Sequence, residues 1–576
     1  MNHWDVIIIG AGAAGLAAAY HARSTGASVL VVNTSLVGRS GATITSGGGV
    51  SLAGTSAIAL GLDGDPGDTE EHFLHDTLRA GAFLGQQDLV EAMVRGIGAE
   101  IGRLIAAGTK VSVTPRAPGH SSGRGIRIPG PSMQSAMTAA ALRAGARFRE
   151  DFQSTTLLTR DGTVVGVAGL DRRSGQVEAL YGRSVVLATG GSTSNWGLRT
   201  APEELSGEGH LMALDAGAEL IDMEMLQFLP CCLVAPDMWR GLQFPWILGP
   251  QSGVRAWLLN RYGERFMARW DAGKMELATR DVVAAASATE VREGRGSPNG
   301  GVYLSWAHLP RDIVDHFPRW SHSFSSDWRW EGFDMTTLVE RIRAGHAIEV
   351  APAAHFSLGG VRIDVRGQTG VPGLYACGEV AGGLHGANRL SGNAGAQVLV
   401  QGKAAGVHAA RFAAGGPSAP PDRADNWDRA AEAIRAPLLR HEGVAPSEVK
   451  RRLTTLASGA LGPVRDGATL AAARAELRDI VANGVGQMAC RQRDGAWNRD
   501  WSDALECRAG AAVLEAALIG AEQRTASLGA HRRHDERRDG ESSQPPQPLQ
   551  HGLVRRAGAV LEHRRIPVAF TSLAPA

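Results

Sequence analysis

Long hydrophobic runs, paired cysteines and surplus charge are all missing from this chain. No apolar stretch reaches the roughly 18 residues of a membrane-spanning helix, and Met1-Asn2-His3-Trp4-Asp5 carries neither a basic segment nor a small-residue cleavage site. No membrane insertion and a cytoplasmic location are therefore expected. Five cysteines (Cys231, Cys232, Cys377, Cys490, Cys507) include no CxxC pair and no metal-like spacing, which excludes a disulfide framework and a sequence-evident zinc or iron–sulfur site. The 59 basic residues, nearly all arginine, face 58 acidic ones, for a net charge of +1. That balance excludes a strongly basic nucleic-acid binder. With 44% hydrophobic residues the chain is also no disordered polyelectrolyte.

Glycine is what the chain has in excess. Its 74 glycines in 576 residues are about 13%, against a usual share of about 7%. They follow no collagen period and no low-complexity repeat, so they mark tight turns or places where backbone approaches something closely. At about 150 residues per domain the length accommodates about four structural units, or fewer if one α/β domain is large.

Val6-Ile-Ile-Ile9 is a β-branched run of the kind buried in a parallel sheet, and Gly10-Ala-Gly12-Ala-Ala-Gly15 follows at once, opening an alanine-rich helix to about Ser24. Gly26 caps that helix and Ser28–Val32 is a second strand, so the glycines sit in the βαβ context that a dinucleotide fingerprint requires. Gly10 makes the turn, Gly12 lets backbone touch a pyrophosphate, and Gly15 permits close helix–strand packing. The second strand ends on Asn33, where an acid usually meets an adenosine ribose.

Further along, residues 155–191 read as two strand pairs returning into a buried strand that ends in Thr189-Gly190-Gly191. A tryptophan-rich, irregular stretch up to Ile348 reads as an inserted domain. Gly373–Glu379 is again strand then turn, and Gly392-Asn393 opens a long helix to about Phe412. A linker at 414–421 precedes four amphipathic helices, Trp427–Arg440, Ser447–Leu456, Thr469–Ala482 and Trp501–Gln523. The charged run Arg532–Asp539 reads as a solvated segment, Ser542–Pro548 as a mobile linker, and Leu553–Phe570 as one strand pair.

In their order, several motifs resemble the fumarate reductase/succinate dehydrogenase flavoprotein family, which includes L-aspartate oxidase and adenylylsulfate reductase flavoproteins. They are Gly10–Gly15, Gly47-Gly48-Gly49, Ala188–Gly191, Met223-Glu224 with Gln227-Phe228, Arg280-Asp281, His355–Gly360, Gly378-Glu379, and His385–Leu390 with Gly392-Asn393. The resemblance implies an α/β protein with a Rossmann-like FAD-binding domain (1–225 and 349–415), an inserted α+β capping domain (226–348), a C-terminal helical domain (425–530) and a tail (531–576). It implies FAD held by Gly10, Gly12, Ala14, Gly15, Asn33, Ser40, Thr43, Gly48, Gly49, Thr189, Gly190, Glu208, Glu379, Asn393 and Ala394. Ala42 stands where some members attach FAD through histidine, and no histidine lies between His21 and His72, so FAD is expected to be non-covalent.

His355 and Arg389 match the family's substrate-binding histidine and arginine, and together they suit one carboxylate. The remaining positions depart from the family. Its His-Pro-Thr-Gly run appears as Leu229-Pro230-Cys231-Cys232, its Thr-Glu pair as Leu248-Gly249, and the arginine that delivers the proton in fumarate reduction falls on Ser252, with Arg255 as a candidate replacement. The expected activity is hydride transfer between flavin N5 and a small anionic substrate with one carboxylate and an apolar or neutral far end, neither succinate nor fumarate. The alternatives are a non-catalytic flavin-binding protein and an L-aspartate oxidase-like or adenylylsulfate reductase-like flavoprotein subunit. The family's Glu-Ser-Arg-Gly-x-His run appears as Ala526–His531, which weakens the expectation of an iron–sulfur partner; the electron-transfer partner stays open.

Overall fold

The structure, a computed structural model, describes residues 3–245, 247–249, 254–316, 329–330, 333–416, 423–536 and 548–575. Its first unit is β1 (His3–Ile9), α1 (Ala13–Ser24) and β2 (Val29–Val32). Val6 to Ile9 are buried to within 4%, as expected of a strand covered on both faces. The alanines of α1 leave room for a second helix, Asn393–Gly415, to lie directly against it. At Gly402 a Cβ would stand 2.5 Å from the Ala14 carbonyl oxygen, so glycine sets that approach.

The central sheet has seven strands, ordered Arg147–Arg149, β2, β1, Gln176–Leu187, Thr163–Asp171 and Phe152–Arg160, with Leu374–Ala376 on the free side of Gln176–Leu187. The β-rich segment after Thr155 is a three-stranded meander. Its last strand runs unbroken from Gln176 into the parallel sheet, where Ile9 pairs with Leu187 and with Val32. Leu187 pairs in turn with Ala376. Four parallel strands therefore end level, and Gly10, Asn33, Ala188 and Cys377 follow them at one edge, which is where open α/β sheets bind ligands.

The inserted domain is built on an antiparallel sheet ordered Leu226–Leu233, Ile348–Ser357, Val302–Ser305 and Trp257–Leu259, covered by the helix Arg280–Arg292. Its two outer segments, Leu226–Leu233 and Ile348–Ser357, pair with each other and lead back to the FAD side. The C-terminal helices are Trp427–Leu439, Pro446–Ala460, Gly467–Asp479 and Arg499–Gln523, within a few residues of the amphipathic patterns. The last is the most deeply buried, with the Trp501 indole N–H donating to the Ile434 carbonyl at 2.7 Å.

One sequence expectation needs correction. The charged run is not simply solvated: Arg532-Arg533 pair as a short strand with Val464-Arg465, and the Arg533 side chain is 7% exposed. Residues 537–539 and most of the Ser542–Pro548 linker lie outside the described residues. The strand pair expected in the tail is present. Gln550–Ala557 and Val560–Pro567 form a hairpin whose first strand pairs with Leu220-Ile221, so it completes a small sheet of the FAD-binding part. The Gln87 side-chain oxygen accepts from the backbone N–H groups of Thr571, Ser572 and Leu573.

Candidate active site

The level strand ends open into a cleft of about 900 Å³, counting its mouth, walled by Gly10, Gly12, Ala14, Asn33, Ser40, Thr43, Thr189, Gly190, Glu208 and Glu379. Backbone geometry builds it. Gly10 sits at φ +108°, and its N–H donates to Val32 O at 2.8 Å. The N–H groups of Ala11 and Ala13 go to Asn33 Oδ1 and Thr43 Oγ1, both at 3.0 Å. Ala14, in the first turn of α1, has no intrahelical acceptor for its N–H, and the helix dipole there favours an anion.

The residues fit a dinucleotide. Gly12 faces open space, since a Cβ there would meet only Thr43 Oγ1 at 3.5 Å, and Thr189 Oγ1 is buried in the wall without a hydrogen-bond partner. Asn33 does more than end a strand. Its amide donates to Ser35 O at 2.7 Å and Ser40 Oγ at 3.0 Å, so it ties the next loop to the glycine turn and leaves one Oδ1 lone pair. Gly15 packs rather than binds, because a Cβ would fall 1.9 Å from Gly10 O. Gly15→Ala is thus expected to lower both thermal stability and flavin retained per chain. Gly12→Ala is expected to cost flavin while leaving the apo melting temperature within a few degrees; equal losses of stability in the two would contradict this division of labour.

Beyond Thr43 in the chain, Gly49 is exposed while Gly48, at φ +75°, is buried against the Ile128 carbonyl. Gly48 shapes the turn and Gly49 presents it. Asn393 and Ala394 begin the helix that packs on this segment, with Ser51 N donating to Gly392 O at 3.1 Å and the Asn393 amide donating to Thr77 Oγ1 at 3.1 Å. Glu379 accepts from the Ser357 N–H at 3.0 Å, and burial lifts its carboxyl to about 7. Glu208 is raised to about 7 as well, by burial and then by the charge of Glu506 in the helical domain.

The structure brings His355 and Arg389 together, as the motifs imply, and adds a third group. Arg280, at the start of its helix, lies close enough that it and Arg389 both depress the His355 imidazole well below its usual range, burial being the larger cause. Burial and mutual repulsion hold Arg389 down to about 9, and burial holds Arg280 down to about 10. Gln227 joins them: its amide nitrogen donates to Asn388 Oδ1 at 3.0 Å and Arg389 O at 2.8 Å, while its oxygen accepts from Arg280 Nη1 at 3.2 Å. The Arg389 guanidinium lies 4.5 Å over the Phe356 ring and leaves Nε buried without a partner. Two cations beside a neutral histidine have the chemistry to hold an anion.

Arg255 does not join this cluster. Its guanidinium lies 3.6 Å from buried Glu276, which Arg265 also engages at 2.6 Å, so it belongs to an ion pair inside the capping domain. Ser252 lies outside the described residues, as does the side chain of Leu248. Arg280, which was not among the expected substrate-site residues, stands beside His355 and Arg389. Arg280 and Gln227 were both visible as motif residues; what sequence did not show is that a helix start and a strand 53 residues apart converge.

Leu229, Cys231 and Cys232 are buried to within 1%, in a cluster with Phe244 and Leu258, and Cys232 is near enough to Arg280 for each to perturb the other. All five cysteines are free thiols, and burial pushes Cys231 and Cys232 well up from the ordinary thiol range. His531 is fully buried, with Nδ1 3.0 Å from Arg465 and Nε2 2.8 Å from the Arg524 carbonyl, a packing role within the C-terminal part. Among the described residues no group of three or more His, Cys, Asp and Glu is placed to hold a metal, and no helix is long and apolar enough to cross a membrane.

A parallel sheet whose strand ends meet a glycine turn, together with an inserted cap that carries a cationic cluster, defines the class of dinucleotide-binding α/β oxidoreductases. The description "FAD binding domain" matches residues 5–394 and "Fumarate reductase flavoprotein C-term" matches 450–575. The chain belongs to the fumarate reductase/succinate dehydrogenase flavoprotein family and is an FAD-dependent oxidoreductase. It is 31% identical over 615 aligned positions to the fumarate reductase flavoprotein subunit of Mycobacterium tuberculosis, covering 99% of this chain and 98% of that one. It is 34% identical over 551 residues to L-aspartate oxidase of Streptomyces coelicolor, covering 92% and 88%. A solved quinol-fumarate reductase with menaquinol superposes over 100% of this chain and 99% of its own, with TM-score 0.86 and 25% identity.

Proposed function

We propose that the protein adds a hydride and a proton across the carbon–carbon double bond next to a single carboxylate, or removes them in the reverse direction, as an enoate reductase or the reverse desaturase, on a small anion whose far end is apolar. The convergence of Arg280, His355 and Arg389 supports this reading. Bound FAD, held non-covalently, supplies the hydride chemistry at its N5. His355 and Arg389 hold the carboxylate by charge-assisted and neutral hydrogen bonds. Arg280, lowered to about 10 yet still protonated at neutral pH, gives the proton to the substrate carbon in reduction and takes it back in oxidation. Gln227 keeps Arg280 and the Arg389 backbone in fixed relation. Uncharged Leu229 and Cys232 beside this cluster offer nothing to a second carboxylate, since an unpaired buried charge is costly.

The experiment is anaerobic reoxidation of dithionite-reduced holoenzyme by crotonate, cinnamate and fumarate. Faster reoxidation by either monocarboxylate supports the reading, and fumarate as the fastest acceptor would overturn it. Leu229→His is expected to raise the fumarate-to-crotonate rate ratio about tenfold, measured in the same stopped-flow assay. The similarity to an aspartate oxidase favours a second reading, amine oxidation; peroxide release with L-aspartate in air would select it. The electron-transfer partner, which in several relatives is another subunit, is not assigned.

A further inference from the structure

His355 sits at an irregular point of its strand. Gln227 pairs with Phe356 and Phe228 with Ala354, so His355 itself has no partner on the neighbouring strand. On the other side, Ala354 donates its N–H to Leu198 O and accepts from the Thr200 N–H, both at 3.0 Å. This backbone clasp places Thr200 Oγ1 2.7 Å from His355 Nδ1, the one hydrogen bond made by the ring among the described residues.

The direction of that bond follows from the needs of both partners. Thr200 Oγ1 makes no other side-chain hydrogen bond among the described residues. Were Nδ1–H the donor, the hydroxyl proton would be left without an acceptor in a half-buried site, which wastes a hydrogen bond. The ring, beside Arg280 and Arg389, carries a single proton, and a carboxylate held by Arg389 needs a donor at Nε2, because a bare lone pair there would repel it.

We propose that Thr200 is a positioning residue whose hydroxyl donates to His355 Nδ1, holding the ring in its Nε2–H tautomer so that the imidazole donates to the substrate carboxylate. The recognition half of this inference rests on the carboxylate-clamp reading above. The tautomer half does not.

The test uses FAD-loaded full-length protein with ¹⁵N-labelled histidine, the His355 signals being assigned by their loss in His355→Gln. Wild type is expected to show Nε2–H with unprotonated Nδ1. Thr200→Val is expected to give a tautomer mixture and about a tenfold loss in the crotonate reoxidation rate, and Thr200→Ser to restore both, with flavin content equal in all three. An Nδ1–H ring in wild type, or a valine variant with wild-type tautomer and rate, overturns the proposal. Acetate then serves as the carboxylate probe. A shift of the Nε2–H signal in wild type supports recognition; no shift while Thr200 still sets the tautomer overturns the clamp and confirms the positioning.

Discussion

Arg389→Ala lowers kcat/KM by about 30- to 5,000-fold while the protein keeps its flavin. The size follows from truncating one partner of a buried, charged hydrogen bond, which costs about 2–5 kcal/mol, at 1.36 kcal/mol per factor of ten. The flavin stays because Arg389 is not part of the dinucleotide cleft; its side chain reaches the Leu390 carbonyl at 3.2 Å and the Phe356 ring. Arg389→Lys keeps the charge but loses the planar fork, so it recovers part of the loss and guards against a folding artefact. Removing this cation takes away only the smallest of the three influences that depress the His355 imidazole, burial and Arg280 remaining. Steady-state rates and flavin absorbance per chain check both points, and a kcat/KM within about threefold of wild type would refute the clamp.

The second large effect belongs to Arg280. Arg280→Gln keeps a hydrogen-bond donor toward the site but removes the exchangeable cationic proton, and is expected to cost about 10²–10⁴ in kcat, the range for losing a positioned acid. Half-saturation changes less, because the clamp is intact. This split separates Arg280 from Arg389, whose loss falls mainly on binding. Lysine at position 280 carries a proton but not the reach of Nη1 to Gln227 Oε1, so it rescues only in part. Equal losses in kcat/KM and unchanged kcat for the glutamine variant would make Arg280 a second binding group.

The parts of this molecule legible in the sequence are those encoded over short range. The βαβ turn is readable because β-branched residues, glycines and an alanine run fall within about thirty residues, and each helix of the C-terminal part carries its own apolar period. Ten of the fifteen residues assigned to FAD line one cleft. Gly48 and Gly15 are explained by backbone approach instead, and Gly49, Asn393 and Ala394 stand at the neighbouring turn. Where residues must meet across the chain, periodicity carries no information. Arg280 reaches the site because its helix packs on Leu226–Leu233, whereas Arg255 is near in sequence to the positions it was expected to replace and is taken by Glu276. Thr200 offers no pattern at all: it is one polar residue in a loop, made significant by a clasp to a strand 155 residues later.

The hairpin at Gln550–Pro567 bears on how the protein is born. Its partner strand, Leu220-Ile221, leaves the ribosome some 330 residues earlier, and the strand Leu374–Ala376 reaches the central sheet long after β1. At about 5–20 residues per second of synthesis, Leu220-Ile221 gains its Gly360-Val361 partner first and waits tens of seconds for the hairpin on its other edge. The dinucleotide cleft draws its walls from residues between Ile9 and Val398, so it can form before the hairpin is made, and one edge of Leu220-Ile221 waits unpaired in the interval.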